Sequence, residues 1–254
     1  MILGHKLHGS GPEGVIMFND WLADCTSYEP MLPYLDQQTF TYALTDLRGY
    51  GRSKQMKGEY SAKEAASDTF KLADHLGWER FHVVGYSMTG MVVERMAVDG
   101  EHRLKSIVAI GPVSAAGVLQ TDEERQFFLS VIVDDDKCRE LADRITGHRL
   151  SRQWQDVKLR LARETRTPEA ARGYLDMWTR TDFSKEARKV TAPFLIIACR
   201  YDQPKFLEED MRRTFLQWHP HAELITMEVG HCPMQETPIL LQTIMENFLK
   251  RYVS

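Results

Sequence analysis

The decisive stretch runs Phe81-His82-Val83-Val84-Gly85-Tyr86-Ser87-Met88-Thr89-Gly90 and continues as Met91-Val92-Val93-Glu94-Arg95-Met96-Ala97-Val98. FHVV is a short, apolar, β-branched run, whereas the residues after Ser87 carry their apolar side chains at helical spacing. The segment therefore reads as a strand, a tight turn around serine, and a helix. That order is the nucleophile elbow, in which a strained turn lifts a serine hydroxyl into the crevice at the sheet's edge. The N–H groups opening the helix then point at an incoming oxygen. Thr89 departs from the G-x-S-x-G pattern, with glycine displaced to Gly90, and a β-branched side chain there is expected to crowd the turn. On these residues alone, an ordinary serine in a glycine-rich strand–helix turn stays open.

Working outward, the same alternation extends along the chain. Val15–Phe18, Thr41–Asp46, Phe81–Val84, Ser106–Ile110, Phe194–Ala198 and Glu223–Met227 are expected strands, apolar enough to be covered on both faces. Ser61–Leu76, Met88–Val98, Glu208–Phe215 and Ile239–Arg251 are expected helices, the first opening on a Ser61-x-x-Glu64 capping box. This order predicts an α/β fold, a doubly wound and mostly parallel sheet with right-handed crossovers. From Pro112 to Ala192 no strand pattern appears, only helical ones over Asp122–Val133, Asp134–Thr146, Ser151–Arg166 and Thr167–Thr179. We therefore expect a core of residues 1–111 and 193–254, with 112–192 inserted as a helical lid over the ligand crevice. Phe127, Phe128, Trp154 and Trp178 are its expected inward anchors.

Composition bounds the function. The chain has 254 residues, with 32 Lys and Arg against 36 Asp and Glu, a net charge of −4 that offers no basic footprint for nucleic acid or anionic membrane. Cys25, Cys138, Cys199 and Cys232 are scattered without C-x-x-C or zinc spacing and read as reduced thiols. His5 and His8, at two candidate strand-edge sites, and His219-Pro220-His221 make no closed ligand set, so no metal is expected. The start MILGHKLHGSG lacks the features of a signal peptide, and no apolar run approaches the roughly 18 residues of a membrane span. The expected compartment is the cytoplasm.

A serine nucleophile needs a base within reach and an acid to orient that base. After FLIIA the chain reads Cys199-Arg200-Tyr201-Asp202, and after ELITM it reads Glu228-Val229-Gly230-His231. Both residues fall at the carboxyl ends of expected strands, on the edge that carries Ser87. Singly, such a histidine is more often structural and such an aspartate a helix cap. Together they follow Ser87 in the order serine, acid, histidine expected of an elbow-type hydrolase.

With these residues in place, the sequence resembles the α/β-hydrolase superfamily nearly end to end. Asp46-Leu47-Arg48-Gly49-Tyr50-Gly51-Arg52-Ser53 is similar to its D-x-R-G-x-G-x-S segment, and Gly85–Gly90 to its G-x-S-M-G-G elbow. Ala192-Pro193-Phe194 through Asp202-Gln203-Pro204 resembles its acid-bearing strand and loop, and Gly230–Pro238 its G-H-x-x-x-x-E-x-P segment. The resemblance is strongest to the single-domain branch of small esterases, lactonases and carbon–carbon bond hydrolases. It implies Ser87 as nucleophile, His231 as base then acid, Asp202 as orienting carboxylate, and the N–H groups of Trp21 and Met88 as the oxyanion hole. Where the family carries His-Gly, this chain has Asn19-Asp20. A carboxylate aimed at a developing oxyanion would oppose catalysis, so Asp20 is expected to point away or pair with a neighbour.

The function expected from this reading is hydrolysis of a small carboxylic ester, lactone or related acyl compound, with no cofactor. Tyr86, Phe127, Trp154 and Trp178 are the substrate-binding candidates, which implies a small molecule with an apolar or aromatic part. A homodimer stays open. Two alternatives remain beside it: the same triad used for carbon–carbon bond hydrolysis, perhydrolysis or cofactor-free oxygenation, and a non-catalytic ligand-binding protein.

Overall fold

The computed structural model describes residues 1–253. Seven strands form one sheet: β1 (His5–Gly9), β2 (Glu13–Phe18), β3 (Phe40–Thr45), β4 (Phe81–Tyr86), β5 (Leu104–Ile110), β6 (Phe194–Cys199) and β7 (Ala222–Met227). Their order is β1-β3-β2-β4-β5-β6-β7, with β1 antiparallel to β3 and every other pair parallel. Every residue of β2, β4 and β6 is buried. Successive strand residues face opposite sides, so both faces of the sheet centre are covered. This is the doubly wound α/β architecture that the alternating pattern predicts.

The helices between these strands are α1 (Ala62–His75), α2 (Thr89–Gly100), α3 (Asp122–Val133), α4 (Asp135–Arg144), α5 (Arg152–Thr165), α6 (Pro168–Arg180) and the short α7 (Ser184–Ala187). Beyond β6 come α8 (Glu208–Arg213), α9 (Phe215–Trp218), α10 (Pro233–Glu236) and α11 (Pro238–Leu249). Ser61 caps α1 by accepting from the Glu64 N–H, at 3.1 Å. Glu64 reaches one residue further back than a capping box requires, to the Tyr60 N–H at 3.0 Å. The single helix expected over Glu208–Phe215 is broken at Thr214 into α8 and α9.

β1 lies outside the six expected strands. Its sequence, HKLHG, is half-exposed and pairs on one side only, so it lacks the apolar run that marks the central strands. Between β5 and β6 the described residues contain helices α3 to α7 and no sheet strand. The functional consequence of the topology is geometric. The loop after β2 (Asn19–Leu22), Ser87 after β4, Gly111 after β5, Asp202 after β6 and His231 after β7 all emerge at the carboxyl ends of parallel strands, where open α/β sheets bind ligands.

Candidate active site

Among the described residues Ser87 is one of four non-glycine residues with positive φ, at 57°. Holding a serine there costs about 1–3 kcal/mol, which the surroundings must over-determine. They do so through the backbone. The Ser87 N–H donates to Ile110 O at 2.9 Å, and its carbonyl accepts from Gly90 N–H at 3.0 Å and Val113 N–H at 2.9 Å. A Cβ on Gly85 would lie 2.5 Å from Thr89 O, and one on Gly90 would lie 2.3 Å from Pro112 Cβ. Glycine is thus required where the chain has it, at 85 and 90, and not at 89.

Thr89 does not simply crowd the turn. Its hydroxyl accepts from the Tyr86 N–H at 2.8 Å, and its own proton can reach Tyr86 O at 2.8 Å or Asn19 O at 3.2 Å. The threonine therefore stitches the serine turn both to itself and to the loop after β2. Thr89→Val keeps the shape, deletes this clasp and leaves the buried Tyr86 N–H unsatisfied. We expect a loss of about 1–3 kcal/mol, read from denaturant midpoints at unchanged slope.

His231 Nδ1 is hydrogen-bonded to Asp202 Oδ2. The other Asp202 oxygen accepts from the Gln203 N–H at 2.7 Å. Burial raises the Asp202 carboxyl above the ordinary carboxylate value, with His231 opposing. Burial pushes the His231 imidazole down, but the Asp202 carboxylate, together with Asp20, outweighs it, and its pKa ends above the usual histidine value. The histidine loop is closed by Glu236, which accepts from the Gly230 N–H at 3.0 Å and pairs with Arg149 at 2.8 Å. The His231 N–H donates to Ile145 O at 2.7 Å, beyond the end of α4.

Gly111 completes this corner, and no sequence motif marks it. Its φ is +46°, and a Cβ there would stand 3.2 Å from His231 Nδ1 and 3.5 Å from Asp202 Oδ2. Only the expectation of a strand ending at Ile110 could have drawn notice to it. Gly111→Ala should cost about 1–2 kcal/mol of backbone strain and displace the pair. A melt combined with kcat should show turnover falling further than the stability loss explains.

Asn19 fixes the loop after β2, donating from Nδ2 to Asp20 O at 2.8 Å and accepting at Oδ1 from the Leu47 N–H at 2.9 Å. Asp20 is 2% exposed. Its Oδ1 accepts from the Ala23 N–H at 2.6 Å, and its Oδ2 lies 3.5 Å from the Nζ of the fully buried Lys158 in α5. Asp20 is thus paired, with a partner that the local sequence does not announce. The Trp21 carbonyl accepts from Tyr50 Oη at 2.9 Å and from Arg166 at 2.6 Å, while its indole N–H donates to Ala171 O at 2.7 Å. Neither the Trp21 nor the Met88 backbone N–H has a hydrogen-bond partner among the described residues.

One cavity of about 440 Å³, counting the solvent at its mouth, brings Asp20, Trp21, Ser87, Asp202 and His231 together. Its apolar wall includes Leu22, Val113, Phe128, Leu141, Ile145, Trp178 and Phe206. Of the four substrate-binding candidates only Trp178 lines it. Phe127 turns outward beneath the Arg144 guanidinium, 4.3 Å from its ring centre. Phe128, one residue further round α3, packs on Trp178 at 5.1 Å and takes the inward place. Trp154, in the first turn of α5, is half-buried against the core and outside the cavity lining. Tyr86 is fully buried outside the cavity lining, with its ring 5.2 Å from His231 and its hydroxyl 3.1 Å from Cys232 Sγ. Burial pushes the Cys232 thiol up to about 12, which keeps it protonated and a poor nucleophile near neutral pH. Among the described residues no three His, Cys, Asp or Glu side chains gather to hold a metal ion, and no helix is long and apolar enough to cross a membrane.

The fold that builds this edge of parallel strands is shared with known proteins. The chain belongs to the alpha/beta hydrolase fold family, whose model matches residues 15–237. It is 33% identical to a fluoroacetate dehalogenase from a Burkholderia species over 107 residues, which span 40% of this chain and 34% of that protein. It is 23% identical to a pimeloyl-[acyl-carrier protein] methyl ester esterase of Legionella pneumophila (strain Paris), over 96% of this chain and 97% of that one. Its fold is similar to that of an esterase from Exiguobacterium antarcticum, with a TM-score of 0.85 at 18% identity, covering 98% of this chain and 95% of the other.

Proposed function

We propose that the protein is a serine hydrolase that cleaves a small carboxylic ester, lactone or related acyl compound through an acyl-enzyme on Ser87. The observation that carries this reading is a serine at φ 57° that shares one cavity with the hydrogen-bonded His231–Asp202 pair. Ser87 Oγ attacks the carbonyl carbon while His231 Nε2 takes its proton. The carbonyl oxygen becomes an oxyanion held by the Trp21 and Met88 N–H groups, each worth about 2.7–4 kcal/mol by comparison with measured oxyanion donors. The tetrahedral intermediate collapses, and His231 protonates the departing oxygen. Water, losing its proton to His231, then attacks the acyl ester, releasing the acid and restoring Ser87. Asp202 orients the imidazole throughout and stabilises its charged form.

The chemistry of serine favours acyl transfer over halide displacement, although one relative is named as a dehalogenase. A serine that displaced halide from a saturated carbon would become an alkyl ether. An ether has no carbonyl at which water can form a tetrahedral intermediate, so the enzyme would stall. An acyl ester on Ser87 does have one. The aromatic wall of Trp21, Phe128 and Trp178 suits an apolar or aromatic substituent.

The test is labelling with a fluorophosphonate probe, run beside a panel of p-nitrophenyl esters, lactones and thioesters. Stoichiometric labelling that maps to Ser87, with turnover of at least one acyl class, is expected. No labelling and no acyl turnover in well-folded protein would overturn the proposal.

A further inference from the structure

Lys158 sits on α5, in the helices between β5 and β6, and its side chain is fully buried. A lysine is almost never buried without a strong reason. Its partner here is Asp20, a residue that lines the same cavity as Ser87. Asp20 precedes Trp21, one of the two proposed oxyanion donors. The same stretch of inserted helices grips Trp21 twice more, through Arg166 on its carbonyl and Ala171 O on its indole N–H, with the Arg166 guanidinium 4.6 Å from the indole ring centre.

Resting on the serine-hydrolase reading, we infer that Lys158 is a positioning residue for the oxyanion site. It neutralises the Asp20 carboxylate beside the developing negative charge and holds residues 20–21 so that the Trp21 N–H faces the cavity. The ammonium touches neither substrate nor Ser87 and acts through Asp20. The argument is one of charge and place. An unpaired carboxylate in a low-dielectric cavity repels a second anion forming nearby, and that repulsion is strongest in the transition state. A buried cation within ion-pair distance cancels it. Burial works against the charged form of Lys158, but Asp20 and the surrounding groups outweigh it, and its pKa ends above the ordinary lysine value. The ammonium therefore keeps its charge near neutral pH.

The two roles that Lys158 could have, packing and charge, respond differently to a second substitution. The experiment compares wild type, Lys158→Met, Asp20→Asn and the double variant, using hydrolysis of p-nitrophenyl butyrate. Lys158→Met should lower kcat on the order of 100-fold, as for loss of an oxyanion donor, with KM changing less than about threefold. Asp20→Asn in the Lys158→Met background removes the orphaned charge and should recover at least about tenfold of that loss. A packing role gives no such recovery.

The inference is overturned if folded Lys158→Met keeps kcat within about threefold of wild type, or if the double variant is as impaired as Lys158→Met. Should Lys158→Met fail to fold, the double variant decides: kcat within about 30-fold of wild type supports the inference, and a larger loss overturns it. Fluorophosphonate labelling of Ser87 in each variant separates this result from the parent reading. Wild-type protein that is not labelled sinks serine catalysis itself, whereas labelled Ser87 with a flat response to Lys158 sinks only the role of the lysine.

Discussion

Ser87→Ala is expected to lower acyl turnover by about a millionfold, the scale measured when the serine of a comparable triad is removed. The alanine deletes the only atom that can form the acyl-enzyme, and the neighbouring thiol cannot replace it. Cys232 is buried, protonated near neutral pH and turned toward Tyr86 rather than the cavity. The fold should be kept, because the hydrogen bonds that define the turn run through the Ser87 backbone and not its hydroxyl. Alanine bears the same left-handed strain as serine, so stability should change by less than about 1 kcal/mol and the melting midpoint only slightly. Parallel measurement of kcat, fluorophosphonate labelling and thermal midpoint checks all three statements. Retained turnover in the alanine variant would rule out the acyl-enzyme, and retained oxygen uptake with an aromatic heterocycle would favour cofactor-free oxygenation by the His231–Asp202 pair.

Asp202→Asn should cost about 10,000-fold in kcat, although it is nearly isosteric. The reason is tautomeric. Asp202 accepts the proton carried on His231 Nδ1, which leaves Nε2 free to take the proton of serine. An asparagine amide can donate to Nδ1 instead, moving the ring proton to Nε2 and disabling the base. The pH dependence moves as well, with a definite sign. His231 works as a base only when neutral, so kcat/KM rises with pH through its pKa. In the native protein that pKa stands above the ordinary histidine value of about 6.5, because Asp202, with a further push from Asp20, outweighs burial. Removing the carboxylate leaves burial less opposed, so the acid limb of the residual activity should shift toward lower pH. A limb that stayed in place or moved upward would show that Asp202 does not set the imidazole's charge.

Much of the candidate site is legible in the amino-acid sequence. The serine turn, the acid after β6 and the histidine after β7 are local signals, each anchored to an apolar strand whose end can be read from the chain. Phe127 shows the limit of such reading. An aromatic pair on an amphipathic helix says that one ring turns inward, and only the helix phase shows that it is Phe128. Lys158 is harder still, because its partner Asp20 is 138 residues away. A lysine in a charged helix ordinarily means solvent. The available signal was its place one helical turn before the buried Ala162 and beside the buried Leu159. Gly111 and the clasp at Thr89 depend on approaches between separate loops, which no residue pattern in one strand encodes.

The grip of α5 and α6 on Asp20 and Trp21, together with the bond from His231 N–H to Ile145 O, has a consequence for how such enzymes can be rebuilt. The helices between β5 and β6 are not an interchangeable part. A chimera that grafts a foreign segment onto this sheet would inherit an aspartate whose counter-ion left with the old helices. It would do better with Asp20 replaced by a neutral residue at the same time. Evolutionary exchange of substrate range in this scaffold should therefore run through paired changes, in the loop after β2 and on α5, rather than through wholesale replacement of the helices between β5 and β6.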